Sequence, residues 1–187
     1  YMKETLDKGL TNPNSREYLE EDVRKSFSNG DAAFALNWTY MYNMANDPKQ
    51  SKVAGDVGVV PAPGGEAGGA SGVNGSMGLG IAKASAHPDQ AWEFISYMTS
   101  QPVQNKYAKL SLPIWKSSYD DPAVQKDQEQ LIAAAKTSLN VMLSRPVTAD
   151  YSRLSNILQQ NIQAVLQGKT PAQDGMEAAT KAADRLR

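Results

Sequence analysis

F-S-N-G-D-A-A-F-A-L-N-W-T-Y-M-Y, residues 27–42, joins a helix end, a short apolar run and an aromatic cluster in one unbroken stretch. Tyr18, Leu19, Val23 and Phe27 recur at helical spacing, which predicts a helix leading into it. Asn14 with Glu17 three residues on reads as its capping box. Gly30 suits the left-handed position that ends such a helix. Ala32–Trp38 then reads as a short buried strand, and Tyr40–Asn46 as another helical turn or two before Asp47-Pro48. On an extended chain alternate residues point the same way, so Trp38 and Tyr40 face one side, with Tyr42 beside them. Aromatic faces stack on the C–H face of a sugar ring, and the Trp N–H and Tyr O–H are donors to its hydroxyls. The alternative is that all three are core residues, as aromatics near strands commonly are.

Outward from this stretch, Asp56–Val60 reads as a second strand ended by Pro61-Ala62-Pro63. Gly64–Gly75 reads as a flexible glycine-rich loop and Met77–Ala82 as a third strand. Pro88 starts a helix with Ala91, Trp92, Ile95 and Met98 on its apolar stripe. Ser100-Gln101-Pro102 opens the next, to about Leu110. Leu112–Tyr119 is an extended segment. Asp121-Pro122 caps a helix expected to run to about Ser138. Leu154, Ile157, Leu158, Ile162, Val165 and Leu166 form an amphipathic helix closed by Gly168. Thr170, Pro171 and Gln173 supply cap, first-turn proline and capping-box partner for the last one. Strands alternating with helices predict an α/β fold. So few strands for so many helices, and an opening at Tyr1-Met2-Lys3 that reads as mid-helix, predict that part of the protein lies elsewhere.

Lysine and arginine number 19 against 20 acidic residues, giving a net charge of −1. No basic stripe points to nucleic acid. There is no cysteine, so neither a disulfide frame nor thiolate chemistry is available. No apolar run reaches the ~20 residues of a membrane span. At 187 residues the chain is long enough to bury a core.

Catalytic motifs are wanting. Residues 64–80 have no G-x-x-x-x-G-K-[ST], and a strand rather than a helix is expected to follow the glycines, which argues against a nucleotide cradle. Backbone N–H groups at Gly75 and Ser76 suit close approach to a ligand instead. His87 reads as a cap or surface residue. Glu20-Glu21 and Asp120-Asp121 sit in helix-start or cap contexts, and neither pair stands out as the acid and base of a glycosidase. Trp115, in the extended segment with Lys116, is either a stacking residue or a packing one. Arg145-Pro146 and Tyr151 line a cleft, or Arg145 is a surface ion-pair residue.

Six segments, in this order, resemble the C-terminal half of the family 1 extracellular solute-binding proteins of ATP-binding-cassette sugar importers, the maltose/trehalose-binding type. They are Phe27–Trp38 (F-S-N-G-D-A-A-F-A-L-N-W), Val57–Pro63 (V-G-V-V-P-A-P), Asn74–Lys83 (N-G-S-M-G-L-G-I-A-K), Ala91–Tyr97 (A-W-E-F-I-S-Y), Leu112–Tyr119 (L-P-I-W-K-S-S-Y) and Arg145–Tyr151 (R-P-V-T-A-D-Y). The closing helix with Gly168-Lys169-Thr170-Pro171 also fits.

The resemblance implies a periplasmic-binding-protein-like class II fold, two α/β lobes with ligand in the cleft between them. It implies mostly the C-terminal lobe here, over residues 1–73 and 112–187. Residues 74–111 look like a crossing and a returning segment of the N-terminal lobe. It implies a binding protein rather than an enzyme, with no cofactor, no metal and no catalytic residue. A small-molecule sugar, a membrane permease and the missing N-terminal half of the same protein are the implied partners. The implied location is periplasmic or extracellular, with a lipid anchor compatible with the full-length protein. Trp38 and Tyr40 fall where sugar binders of this type place aromatics. Gly75-Ser76-Met77 matches a position that often reads Gly-Gly-Trp, so Met77 replaces one stacking surface. Trp115 stands where an arginine or another polar residue is frequent. Trp38, Tyr40, Gly75, Ser76, Met77, Trp115 and Tyr151 are therefore the expected ligand-binding set. The rival readings are a carbohydrate-active hydrolase and a fragment with no independent binding.

Overall fold

The computed structural model describes residues 1–65 and 69–186. In chain order its helices are α1 (Met2–Asp7), α2 (Glu20–Ser28), α3 (Tyr40–Ala45), α4 (Pro88–Thr99), α5 (Gln101–Lys106), α6 (Pro122–Gln125), α7 (Glu129–Val141), α8 (Tyr151–Leu166) and α9 (Ala172–Asp184). Two-residue strands β1 (Ala62–Pro63), β2 (Ala70–Ser71), β3 (Val73–Asn74) and β4 (Leu143–Ser144) complete the set. β1 pairs antiparallel with β2, and β3 pairs parallel with β4. The packing separates into two compact units: Tyr1–Leu19 with Arg145–Arg187, and Glu20–Ser144.

In the first unit, α8 and α9 pack against each other as a helical hairpin joined by a short turn. Gly168 ends α8 at φ 73°, as its position predicts. The hairpin closes so tightly at Gly175 that a Cβ there would lie 2.5 Å from Val165 Cγ2. Val165 is β-branched and stiff at χ1, so it yields poorly. Gly175→Ala gains helix propensity yet is expected to destabilise this unit by about 1–3 kcal/mol, through overpacking. Chemical denaturation followed by far-UV dichroism checks this; a stabilised variant would show that the hairpin opens freely.

In the second unit the core gathers Ala108, Tyr119, Val124, Ile132 and Ala135, with Leu112 packed against them. Its polar centre is Gln128, only 1% exposed. The Gln128 amide donates to the Val124 carbonyl at 2.6 Å and accepts from Asn43 Nδ2 at 2.8 Å, which ties α3 to this core. Tyr119 donates to the Pro113 carbonyl, fixing the segment that precedes it.

Several expectations need correction. The Asn14 capping box does not form. Asn12 caps instead, its side chain accepting from the Asn14 N–H, because Pro13 suits the first position of the short 3-10 turn Pro13–Glu17. Asp121 caps as expected, but its helix stops at Gln125: Asp127 sits at φ 63° and turns Gln128 inward, and α7 starts afresh. Leu112–Tyr119 is not wholly extended, since a 3-10 turn occupies Lys116–Asp120. Thr170 makes no side-chain cap to α9, and Gln173 bonds Glu177 instead.

The three expected strands, Ala32–Trp38, Asp56–Val60 and Met77–Ala82, are irregular backbone, without a ladder partner among the described residues. Their large side chains stay in water: Phe34, Leu36, Val60, Met77 and Leu79 are all exposed. Alternating apolar residues give a strand only where a second strand supplies the hydrogen bonds. The α4 stripe is only partly covered: Ala91 and Ile95 are half-buried, while Trp92 and Met98 are exposed. Within the expected Gly64–Gly75 loop, β2 and β3 form short pairs; residues 66–68 lie outside the described set.

Candidate functional site

Gly30, at φ 87°, ends α2 and returns the chain past that helix. Asn37 then straps the returning segment to the start of α2. Its side chain donates to the Glu20 carbonyl at 2.9 Å and accepts the Trp38 N–H at 2.7 Å. Thr39 adopts helical dihedrals and α3 begins at Tyr40, so Trp38 and Tyr40 are not alternate residues of one strand. They are nevertheless brought onto adjacent partners. The Trp38 indole N–H donates to Glu20 Oε1 at 3.3 Å, and the Tyr40 hydroxyl donates to Glu21 Oε1 at 2.7 Å.

Gly75 completes this arrangement. A Cβ there would lie 2.5 Å from both Cη2 and Cζ3 of Trp38, so the benzo edge of the indole rests on bare backbone. The indole is thus held at two opposite edges while 48% of the residue stays exposed. Such a ring is neither a core residue nor a loose surface one, and its open surface suits stacking on a sugar or polyol. The expectation that the Trp N–H and Tyr O–H serve as donors to a ligand needs revision, because both are already engaged by carboxylates. The Tyr40 oxygen keeps acceptor capacity and can receive a sugar O–H.

These bonds shift the titrating groups. The Glu21 carboxylate pushes the Tyr40 phenol up to about 12, chiefly through the hydrogen bond it accepts, with burial and charge repulsion adding. Glu21 is lowered by its bonds from Arg24 and Tyr40, and Glu20 by its own backbone N–H and then Trp38. A phenol whose folded value exceeds its unfolded value of 10 contributes stability that is intact below pH 10 and lost as pH rises towards 12. Depressed carboxylates contribute stability above their unperturbed 4.5 that is lost as pH falls through their folded values. Absorbance titration at the phenolate band should find one tyrosine ionising near 12, returning towards 10 in Glu21→Ala. A wild-type titration with every tyrosine near 10 would contradict this geometry.

The other expected site residues are placed as follows. The Ser76 N–H is bonded to the Asn74 side chain, and Met77 projects fully into solvent. Trp115, half-exposed, is tied by its indole N–H to the Thr99 carbonyl at 2.7 Å. Tyr151 belongs to the first unit, where it opens α8 beneath the Arg145 guanidinium, 5.5 Å from the ring centre. Arg145 there is a cation–π partner. Glu20, Glu21, Arg24 and Asn37 were missed. Acidic residues in a first helical turn read as partners of the helix dipole, and no local spacing ties them to positions seventeen or more residues on. Among the described residues there is no cluster of three or more metal-ligating side chains. No helix among them is long and apolar enough to cross a membrane.

A profile of the bacterial extracellular solute-binding proteins matches residues 1–105. Among solved structures, the chain superposes on maltose-bound MalE3 of T. maritima with a TM-score of 0.91 at 30% identity, covering 100% of this chain and 48% of that one. It also superposes on an ABC transporter solute-binding protein of Agrobacterium radiobacter K84 in complex with ribitol. That match has a TM-score of 0.75 at 24% identity and covers 94% of this chain and 45% of the other. The chain therefore spans about half the length of the solved chains it matches. Its helix-rich α/β architecture is of the periplasmic-binding-protein-like class. With the profile spanning more than half of its residues and a relative of 30% identity matching its whole length, the chain belongs to the bacterial extracellular solute-binding protein family.

Proposed function

We propose that the intact protein is the carbohydrate-binding component of an ATP-binding-cassette importer, capturing a mono- or oligosaccharide between two lobes and delivering it to a membrane permease. The observation that carries this is the Trp38 indole, fixed at both edges yet half open to solvent, in a chain 30% identical to a maltose-bound protein. Tyr40 supplies an acceptor beside it. Gly75 is the backing of the platform, and Ser76, Met77 and Trp115 extend the proposed ligand surface; Tyr151, a residue of the first unit, is proposed as a ligand contact of the intact protein. Binding is the task, with no turnover.

In this reading residues 1–73 and 112–187 belong mostly to the C-terminal lobe, and 74–111 return from the N-terminal lobe. A compact packing unit and a hinged lobe are different things, so the two divisions of the chain need not coincide. The exposed apolar residues of Phe34–Leu36, Val60, Met77–Leu79 and α4 support a further portion of the same protein that covers them. Lobe closure follows from tighter ligand binding to the closed state. The location is periplasmic or extracellular, and a lipid anchor on the full-length protein is part of the same proposal.

Calorimetric titration of the intact protein with mono- and oligosaccharides, ribitol, amino acids and polyamines tests it. Saturable binding in the micromolar range or tighter is expected for at least one saccharide, about −8 kcal/mol or more. Response only to amino acids or polyamines would overturn the assignment. Sustained hydrolysis of a chromogenic glycoside, abolished by mutating one carboxylate, would replace it with the hydrolase reading.

A further inference from the structure

The Trp38 side chain has two rotatable bonds and sits on irregular backbone at the surface, so nothing in its own segment fixes the plane of its ring. Glu20 holds the indole nitrogen while Gly75 receives the opposite edge, and these two contacts define that plane. Tyr40 is fixed through a longer chain of contacts. Glu21 accepts from Tyr40 on Oε1 and, on Oε2, from Arg24 Nε at 2.9 Å and Nη2 at 2.8 Å. The Arg24 side chain is only 11% exposed, so this relay ends on a packed group rather than a mobile one. A ring already held in its binding orientation loses less freedom when ligand arrives.

We propose that Glu20 and Glu21 are positioning residues for ligand recognition: Glu20 sets the plane of the Trp38 indole against Gly75, and Glu21, held by Arg24, sets the Tyr40 hydroxyl as an acceptor. The consequence for affinity rests on the saccharide reading above. The brace itself does not, and it can be read without any ligand.

Three variants of the intact protein, Glu20→Ala, Glu20→Gln and Arg24→Ala, test this with maltose as the probe. The indole N–H of Trp38, assigned by its loss in Trp38→Phe, is followed by nitrogen-15 NMR. Glu20→Ala should move that resonance upfield, speed its exchange with solvent and weaken maltose binding about tenfold, the size of one lost charge-assisted hydrogen bond. Glu20→Gln keeps an acceptor oxygen and should restore most of both properties. Arg24→Ala releases the Glu21 carboxylate and should weaken maltose binding through Tyr40 while leaving the indole resonance in place; unaltered maltose affinity in this variant would overturn the Glu21 half of the proposal. Thermal melts confirm that each variant is folded. An unchanged indole resonance in Glu20→Ala would overturn the brace, as would equal behaviour of the Ala and Gln variants. A displaced resonance with unaltered maltose affinity would overturn its role in recognition. A wild-type protein that shows the brace signature but binds no maltose counts against maltose as the ligand, and leaves the brace standing.

Discussion

Trp38→Ala is expected to weaken saccharide binding by about 30-fold or more, with little change in stability. Loss of a stacked aromatic from a binding surface removes about 2 kcal/mol or more where the ring is a central anchor. The structure argues for that rank. The indole is braced at its nitrogen by Glu20 and at its benzo edge by Gly75, and it remains 48% exposed, so its open surface is not committed to the fold. A ring this exposed contributes modestly to the core, and its removal should leave the melting temperature within a few degrees. Trp38→Phe keeps an apolar face but loses the Glu20 contact, and should fall between the two. Titration calorimetry beside thermal melts separates the outcomes. Parallel losses of affinity and stability would make Trp38 a packing residue instead.

The largest stability effect is expected at Gln128→Ala. Gln128 is 1% exposed and joins two parts of the second unit, donating to the Val124 carbonyl and accepting from Asn43. Truncation removes a buried side chain beside Val124 and Ile132. It leaves the Val124 carbonyl without its side-chain donor, while Asn43 keeps only the Lys109 carbonyl. The void and the unmet polar groups together should cost about 2–4 kcal/mol. Gln128→Glu is an informative companion, since a carboxylate oxygen still accepts from Asn43 but an ionised group cannot donate to Val124. Urea unfolding is the measurement. A Gln128→Ala midpoint matching wild type would mean that water replaces the lost partners.

Much of the helical half of this architecture was legible. The Asp121-Pro122 start, the Pro88 start, the amphipathic run closed by Gly168 and the Gly30 stop all rest on contacts within a few residues, and local chemistry decides them. The strands were not legible in the same way. Ala32–Trp38 and Met77–Ala82 have the composition of strands, but ladder bonds come from elsewhere in a protein, and among the described residues none reach them. The Asp127 break and the inward turn of Gln128 escaped notice because Val124, Leu131 and Ile132 continue a helical period across it. At the candidate site the aromatic residues could be picked from the sequence by type and position. The helical turns expected from Tyr40 are there as α3, but the partners of the aromatics could not be read: the Glu20 and Glu21 contacts to Asn37, Trp38 and Tyr40 join residues 17 to 19 positions apart. The consequence is chemical, since the donors expected to meet a sugar are held by the protein's own carboxylates.

The central claim is that a saccharide lies on the Trp38 face. The most direct measurement is a nitrogen-15 NMR titration of the intact protein with whichever saccharide binds in the calorimetric panel, following the Trp38 indole resonance. The account predicts a saturating shift of that resonance with the same midpoint as the calorimetric binding curve. Saturable binding that leaves the Trp38 resonance unmoved would place the sugar elsewhere and contradict it.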